Sequence, residues 1–111
     1  MKNIVMILYS LVAIAGLYML VQRSMKKNVN IVFGILHGFV GLIGIALLII
    51  MASYKQSVVP VEAILVLFTA FLIGGGIFSA KVFANKFNIW AAVSHAIVAA
   101  VGLYLLFAAL G

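Results

Sequence analysis

The chain has 111 residues, of which 68% are hydrophobic and 7% charged, and its seven Lys and Arg residues outnumber a single acidic one, for a formal charge of +6. A soluble domain is about half apolar and about a quarter charged, so this composition excludes an ordinary water-soluble fold. The lack of cysteine excludes disulfides and iron–sulfur clusters, and one carboxylate excludes paired-carboxylate catalysis. The basic residues lie between long apolar runs, which excludes nucleic acid as a partner and indicates a membrane protein.

Four apolar runs follow one another, each long enough to cross a hydrocarbon core of about 30 Å as a helix. They cover residues 4–21, 31–52, 58–80 and 89–111 and are joined by short polar connections. The first run resembles a signal peptide, but it continues to Val21 and then meets Arg23, Lys26 and Lys27, which is typical of a retained span. Because short connections make consecutive helices antiparallel neighbours, we expect an all-α, four-helix, up-down bundle forming one domain over residues 1–111.

The basic residues divide unevenly between the two ends of this bundle. The first and third connections hold Arg23, Lys26, Lys27, Lys81 and Lys86, whereas the other end holds Lys2 and Lys55. Basic connections remain in the cytoplasm and lie near anionic lipid headgroups. The sequence therefore predicts a multi-pass protein of the bacterial plasma membrane with both termini outside the cytoplasm.

The only acidic residue, Glu62, follows Pro60 near the start of the third run. Proline in the first turn and a carboxylate near a helix N-terminus are both locally favourable. A proton or cation role is the alternative, because ionisable residues at membrane depth are often functional.

An internal repeat relates the two halves of the chain. When the chain is aligned with itself so that Asn30 falls on Asn88, the same shift pairs His37 with His95, Gly44 with Gly102 and Gly16 with Gly74. This indicates two tandem helical-hairpin repeats, about 1–53 and 59–111, inserted in the same orientation. The two histidines then lie at equal depth on diagonal helices whose axes are about 11–14 Å apart, leaving room between the imidazoles.

Small residues surround both histidines. They are Gly34, Gly38, Gly41 and Gly44 on the second helix and Ala91, Ala92, Ala99 and Gly102 on the fourth. Close helix packing explains small residues at such spacing, but it does not explain an imidazole within each smooth face. A flat apolar group ligated from both sides explains both features, and the sequence predicts non-covalent haem b with His37 and His95 as metal ligands.

This layout resembles the four-helix membrane b-type cytochromes of the broad cytochrome b561 type, in which histidines of different helices clamp the haem. The resemblance covers the architecture and the two histidines. Members of that group often carry two haems and hence four ligands, whereas this chain has two histidines. Ligation by two histidines leaves the iron no open position, which favours an electron carrier over an enzyme. The bilayer is the expected partner, and a quinone, another redox protein and a homo-oligomer remain open.

Other interpretations remain open. Each histidine can be a structural residue bonded to a backbone carbonyl or to Ser10, Thr69 or Ser94, or can serve a quinone or proton site. Zinc is disfavoured because two nitrogen ligands do not complete a tetrahedral site, although a dimer would supply four. The length and four spans also resemble the small multidrug resistance transporters, but the first span lacks their carboxylate. An accessory membrane subunit, with residues 74–76 as a glycine kink or packing surface, is the third class.

Overall fold

The structure, a computed structural model, describes residues 2–54 and 58–111, and four helices account for most of them. They are α1 (Lys2–Ser24), α2 (Ile31–Ala52), α3 (Val61–Ala84) and α4 (Ile89–Leu110). The predicted all-α fold is confirmed. Helix α1 is longer than the predicted apolar run, because the polar residues that flank the run at both ends are also helical. Helix α3 starts later than predicted because Pro60 occupies its N-cap. Lys55, assigned above to the less basic end, lies outside the described residues.

The two asparagines paired by the repeat are helix caps. The side chain of Asn30 accepts a hydrogen bond from the backbone N–H of Val32 at 2.9 Å, and that of Asn88 accepts from Trp90 at 2.9 Å. Each thereby satisfies a backbone donor that the first helical turn leaves free. These caps fix where α2 and α4 begin, and so set the depth of both histidines.

The helices form a bundle in which consecutive helices are neighbours. Helix α1 packs on α2 and α4, and α3 packs on the same two helices, so α2 and α4 are diagonal across the bundle. The molecule measures 45 × 22 × 21 Å, and its long dimension matches a bilayer with its headgroup regions. All four helices are long and apolar enough to cross a membrane, consistent with a multi-pass membrane protein.

The tightly packed core lies in one half of the bundle, next to the chain termini. Its buried residues are Val5, Tyr9, Leu48, Val59, Ala63, Leu67, Leu106 and Leu110. The opposite half ends in the 25–30 and 85–88 connections, and we call this end the basic end. Among the described residues, every buried hydrophobic side chain lies at or beyond the histidines on the terminal side. The half between the histidines and the basic end is packed more loosely.

Candidate functional site

His37 of α2 and His95 of α4 meet between the diagonal helices. Their ring centroids are 6.3 Å apart, and the ring planes are inclined by 76°. Both side chains are half-buried. The two imidazoles are therefore neighbours in the interior of the bundle, with nearly perpendicular ring planes.

The backbone of a neighbouring helix lies beside each imidazole. Nδ1 of His95 is 2.7 Å from the carbonyl oxygen of Ala70 on α3. The backbone of Val12, which the repeat pairs with Ala70, faces His37 in the same way, but Nδ1 of His37 is buried without a hydrogen-bond partner among the described residues. The contact with Val12 thus falls short of a full hydrogen bond. When Nδ1–H donates to a carbonyl, the lone pair of Nε2 is left available to a metal.

A glycine of the neighbouring helix lies against each imidazole as well. A Cβ on Gly16 of α1 would lie 3.0 Å from Cε1 of His37, and a Cβ on Gly74 of α3 would lie 2.8 Å from Cε1 of His95. Both distances are shorter than an ordinary van der Waals contact of about 3.5–4.0 Å. A Cβ at position 74 would therefore displace the His95 ring, and one at position 16 would press tightly on the His37 ring.

Sequence reasoning did not include Gly16 and Gly74 among the site residues. The signal that could have found them is the internal repeat, because the shift that pairs the histidines also pairs these glycines. Identity between α1 and α3 is weak, so the two glycines stand out only once the position of each imidazole is known.

The small residues predicted to surround the histidines occupy several environments. A Cβ on Gly34 would lie 3.4 Å from Phe78, whereas a Cβ on Gly38 or Gly41 would have nothing within 4 Å. Ala92 and Ala99 are half-buried on α4, and Ala91 lines a surface groove near the basic end. Open space adjoins α2 at Gly38 and Gly41, one and four residues after His37 in the chain.

Gly44 and Gly102 pack against side chains of neighbouring helices, two turns from the histidines. A Cβ on Gly44 would lie 2.6 Å from the Tyr9 ring, and one on Gly102 would lie 2.8 Å from Leu67. Tyr9 and Leu67 occupy equivalent positions in the two repeats. The hydroxyl of Tyr9 also reaches the carbonyl of Gly41, at 3.5 Å. These two glycines therefore hold α1 against α2 and α3 against α4 in the packed core.

The other polar residues considered from the sequence lie apart from the imidazoles. The hydroxyls of Ser10, Thr69 and Ser94 donate to backbone carbonyls of their own helices, those of Met6, Leu65 and Trp90. Glu62 is exposed in the first turn of α3. The partner of His95 is thus a backbone carbonyl rather than a hydroxyl.

Two histidines would suit a macrocycle that supplies ligands of its own better than a bare ion. Within residues 2–54 and 58–111, no group of three or more His, Cys, Asp or Glu side chains could hold a metal ion. Haem supplies four nitrogen ligands of its own and needs two from the protein.

Comparison of the chain with protein-family models, with curated proteins and with solved structures finds no match.

Proposed function

We propose that this chain is a membrane b-type cytochrome that holds one haem non-covalently between His37 and His95 and carries single electrons within the bilayer. The observation that carries the proposal is the adjacent pair of imidazoles, 6.3 Å apart at their centroids. Each has its Cε1 edge against a glycine of the neighbouring helix. When bound, haem supplies iron that alternates between the ferric and ferrous states, and ligation from both sides favours electron transfer over oxygen chemistry.

The chain's own residues hold and shape this site. The carbonyl of Ala70 fixes the orientation of the His95 ring through Nδ1, and Gly16 and Gly74 keep Cβ atoms out of the space that the imidazoles occupy. We place the haem in the half of the bundle from the histidines to the basic end, because the buried hydrophobic side chains among the described residues lie in the other half. On α2 itself, a Cβ on Gly38 or Gly41 would have nothing within 4 Å.

The distribution of charged residues supports one orientation of the chain in the membrane. Among the described residues, Arg23, Lys26, Lys27, Lys81 and Lys86 lie at the basic end, and Lys2 and Glu62 lie at the other. Basic connections remain on the cytoplasmic side. We therefore place the basic end in the cytoplasm and both termini outside, in a bacterial plasma membrane, with a quinone or another redox protein as electron partner.

A structural role is the second candidate function. The bond from His95 to the carbonyl of Ala70 joins α4 to α3, and interhelical hydrogen bonds of this kind hold membrane helices together. In that case the chain is an accessory subunit without a cofactor. This account explains the bond from His95, and neither account supplies a partner for Nδ1 of His37, which is buried without one among the described residues.

Single substitutions separate the two candidates. His37→Ala and His95→Ala should each abolish or strongly weaken haem binding, measured as haem per chain after expression with added haem. Ser94→Ala and Thr69→Ala are the matched controls, because both hydroxyls bond to their own helices, and they should retain haem. The structural account instead predicts only a loss of stability of about 1 kcal/mol for each interhelical hydrogen bond. Equal haem retention in all four variants would refute the ligand assignment.

A further inference from the structure

Two grooves at the basic end occupy equivalent positions in the two repeats. The first, which we call the aromatic groove, lies between α1 and α2, has a volume of about 470 Å³, and is lined by Ala15, Tyr18, Gln22, Asn28, Asn30 and Phe33 among others. The second, the small-residue groove, has a volume of about 230 Å³ and is lined by the equivalent residues of the second repeat, Ile73, Gly76, Ala80, Lys86, Asn88 and Ala91. The fold thus presents the same cleft twice.

At three equivalent positions, the aromatic groove has a ring or a hydrogen-bonding side chain where the small-residue groove has neither. Tyr18, Gln22 and Phe33 of the aromatic groove correspond to Gly76, Ala80 and Ala91, which carry no ring and no side-chain hydrogen-bonding group. The rings of Tyr18 and Phe33 lie 5.5 Å apart at their centroids. Only one of the two equivalent clefts therefore combines aromatic surface with polar donors.

The polar groups of the aromatic groove are neutral donors. They are the phenol of Tyr18 and the amides of Gln22, Asn28 and Asn30, and no described residue that lines the groove is charged. The oxygen of the Asn30 amide is used in capping α2, which leaves its N–H groups to donate. Arg23 lies close by in the chain, but its guanidinium stacks 5.0 Å from the centroid of the Phe87 ring. This chemistry suits a neutral ligand with accepting oxygens rather than a phosphate.

We propose that the aromatic groove binds the ring of a membrane quinone, a planar, uncharged group with carbonyl oxygens. Its volume falls within the range of about 300–1,000 Å³ that is usual for small-molecule sites, and it lies on the outer surface of the α1–α2 hairpin, where a ligand dissolved in the bilayer arrives laterally. Phe33 is one helical turn from His37 on α2, about 6 Å along the axis. Electron exchange between the quinone and the haem rests on the proposed function. Binding of the quinone ring to the groove does not require haem.

Photolabelling tests the proposal directly. The full chain in nanodiscs of neutral phospholipid is illuminated with a short-chain azido-1,4-benzoquinone, and the labelled peptides are identified by mass spectrometry. We expect label in residues 14–33 to exceed label in residues 73–91 by more than about tenfold, since the second groove lacks counterparts of both rings and of two hydrogen-bonding groups. Unmodified quinone should compete and anionic phospholipid should not. Equal labelling of both segments, or competition by anionic phospholipid alone, would overturn the proposal.

A double variant replaces two residues of the aromatic groove with their counterparts from the small-residue groove. Gln22→Ala with Phe33→Ala introduces the residues found at positions 80 and 91, and it should weaken quinone binding about tenfold. Ile77→Ala, in the small-residue groove, is the matched control and should leave binding unchanged. Equal effects of the two variants would contradict the assignment.

The same labelling of a His37→Ala, His95→Ala double variant separates this inference from the haem proposal. Label retained in residues 14–33 without haem supports the quinone site even if the haem proposal fails. Haem binding by the original chain, together with no specific label, would leave the haem proposal standing and overturn this one.

Discussion

Gly74 of α3 lies so close to His95 of α4 that a Cβ on the glycine would be 2.8 Å from Cε1 of the imidazole. Gly16 and His37 repeat this relationship at the equivalent positions of the first hairpin, with a corresponding distance of 3.0 Å. The two histidines are therefore each held between a partner imidazole and a glycine backbone. This arrangement makes the glycines positioning residues for the imidazoles.

Alanine at either glycine should displace the neighbouring imidazole. Overpacking of this kind costs about 1–3 kcal/mol, so Gly16→Ala and Gly74→Ala should each reduce the haem retained per chain and alter the visible spectrum of what remains. Gly75→Ala and Gly76→Ala are controls, because a Cβ at either position has nothing within 4 Å. If all four variants retain haem equally, the glycines do not position the histidines.

Substitutions in the packed core should change stability instead. Gly44→Ala places a Cβ 2.6 Å from the ring of Tyr9, and we expect the free energy of unfolding in detergent to fall by about 1–3 kcal/mol. Gly41→Ala meets open space and should be neutral or stabilising by up to about 1 kcal/mol through helix propensity.

A double-mutant cycle tests the cause of the Gly44 effect. Gly44→Ala should cost clearly less in a Tyr9→Ala background, because the side chain that it displaces has been removed. If the cost of Gly44→Ala is the same in both backgrounds, packing against Tyr9 is not the reason for that cost.

Much of this architecture could be predicted from the sequence, because membrane helices are long and uniformly apolar. Helices α2 and α4 begin at the residues expected, and the diagonal placement of His37 and His95 follows from short connections. The role of the glycines could not be predicted in the same way. The sequence places Gly16, Gly38 and Gly44 within apolar helices. Only the packing shows which of them faces an imidazole, which faces open space and which faces a phenol ring.

The asparagine caps make a separate prediction about stability. Asn30→Ala and Asn88→Ala each remove an acceptor for backbone N–H groups at a helix start, and they should lower the free energy of unfolding by about 0.5–2 kcal/mol. Asn28→Ala is the control, since the structure places Asn28 in the connection between α1 and α2, before the cap. A cost for Asn28→Ala equal to that of the cap variants would exclude capping as the reason for the repeated asparagine.

The orientation is tested by reporter fusions in a bacterial host. Alkaline phosphatase fused after Gly111 should be active and green fluorescent protein at the same position dark, because we place both termini outside the cytoplasm. Fusions within the 85–88 connection should show the opposite pattern. A fluorescent C-terminal fusion would show that the topology is the reverse of the one inferred from the five basic residues at the basic end.

The central claim is that His37 and His95 hold one haem, and the visible absorption spectrum tests it most directly. The protein is expressed with added haem, purified in mild detergent, and measured oxidised and then reduced with dithionite. We predict a Soret band that sharpens on reduction, resolved α and β bands, and about one haem per chain, as expected for iron ligated by two imidazoles. A chain that remains colourless after titration with haem would contradict the claim and leave the histidines a structural role.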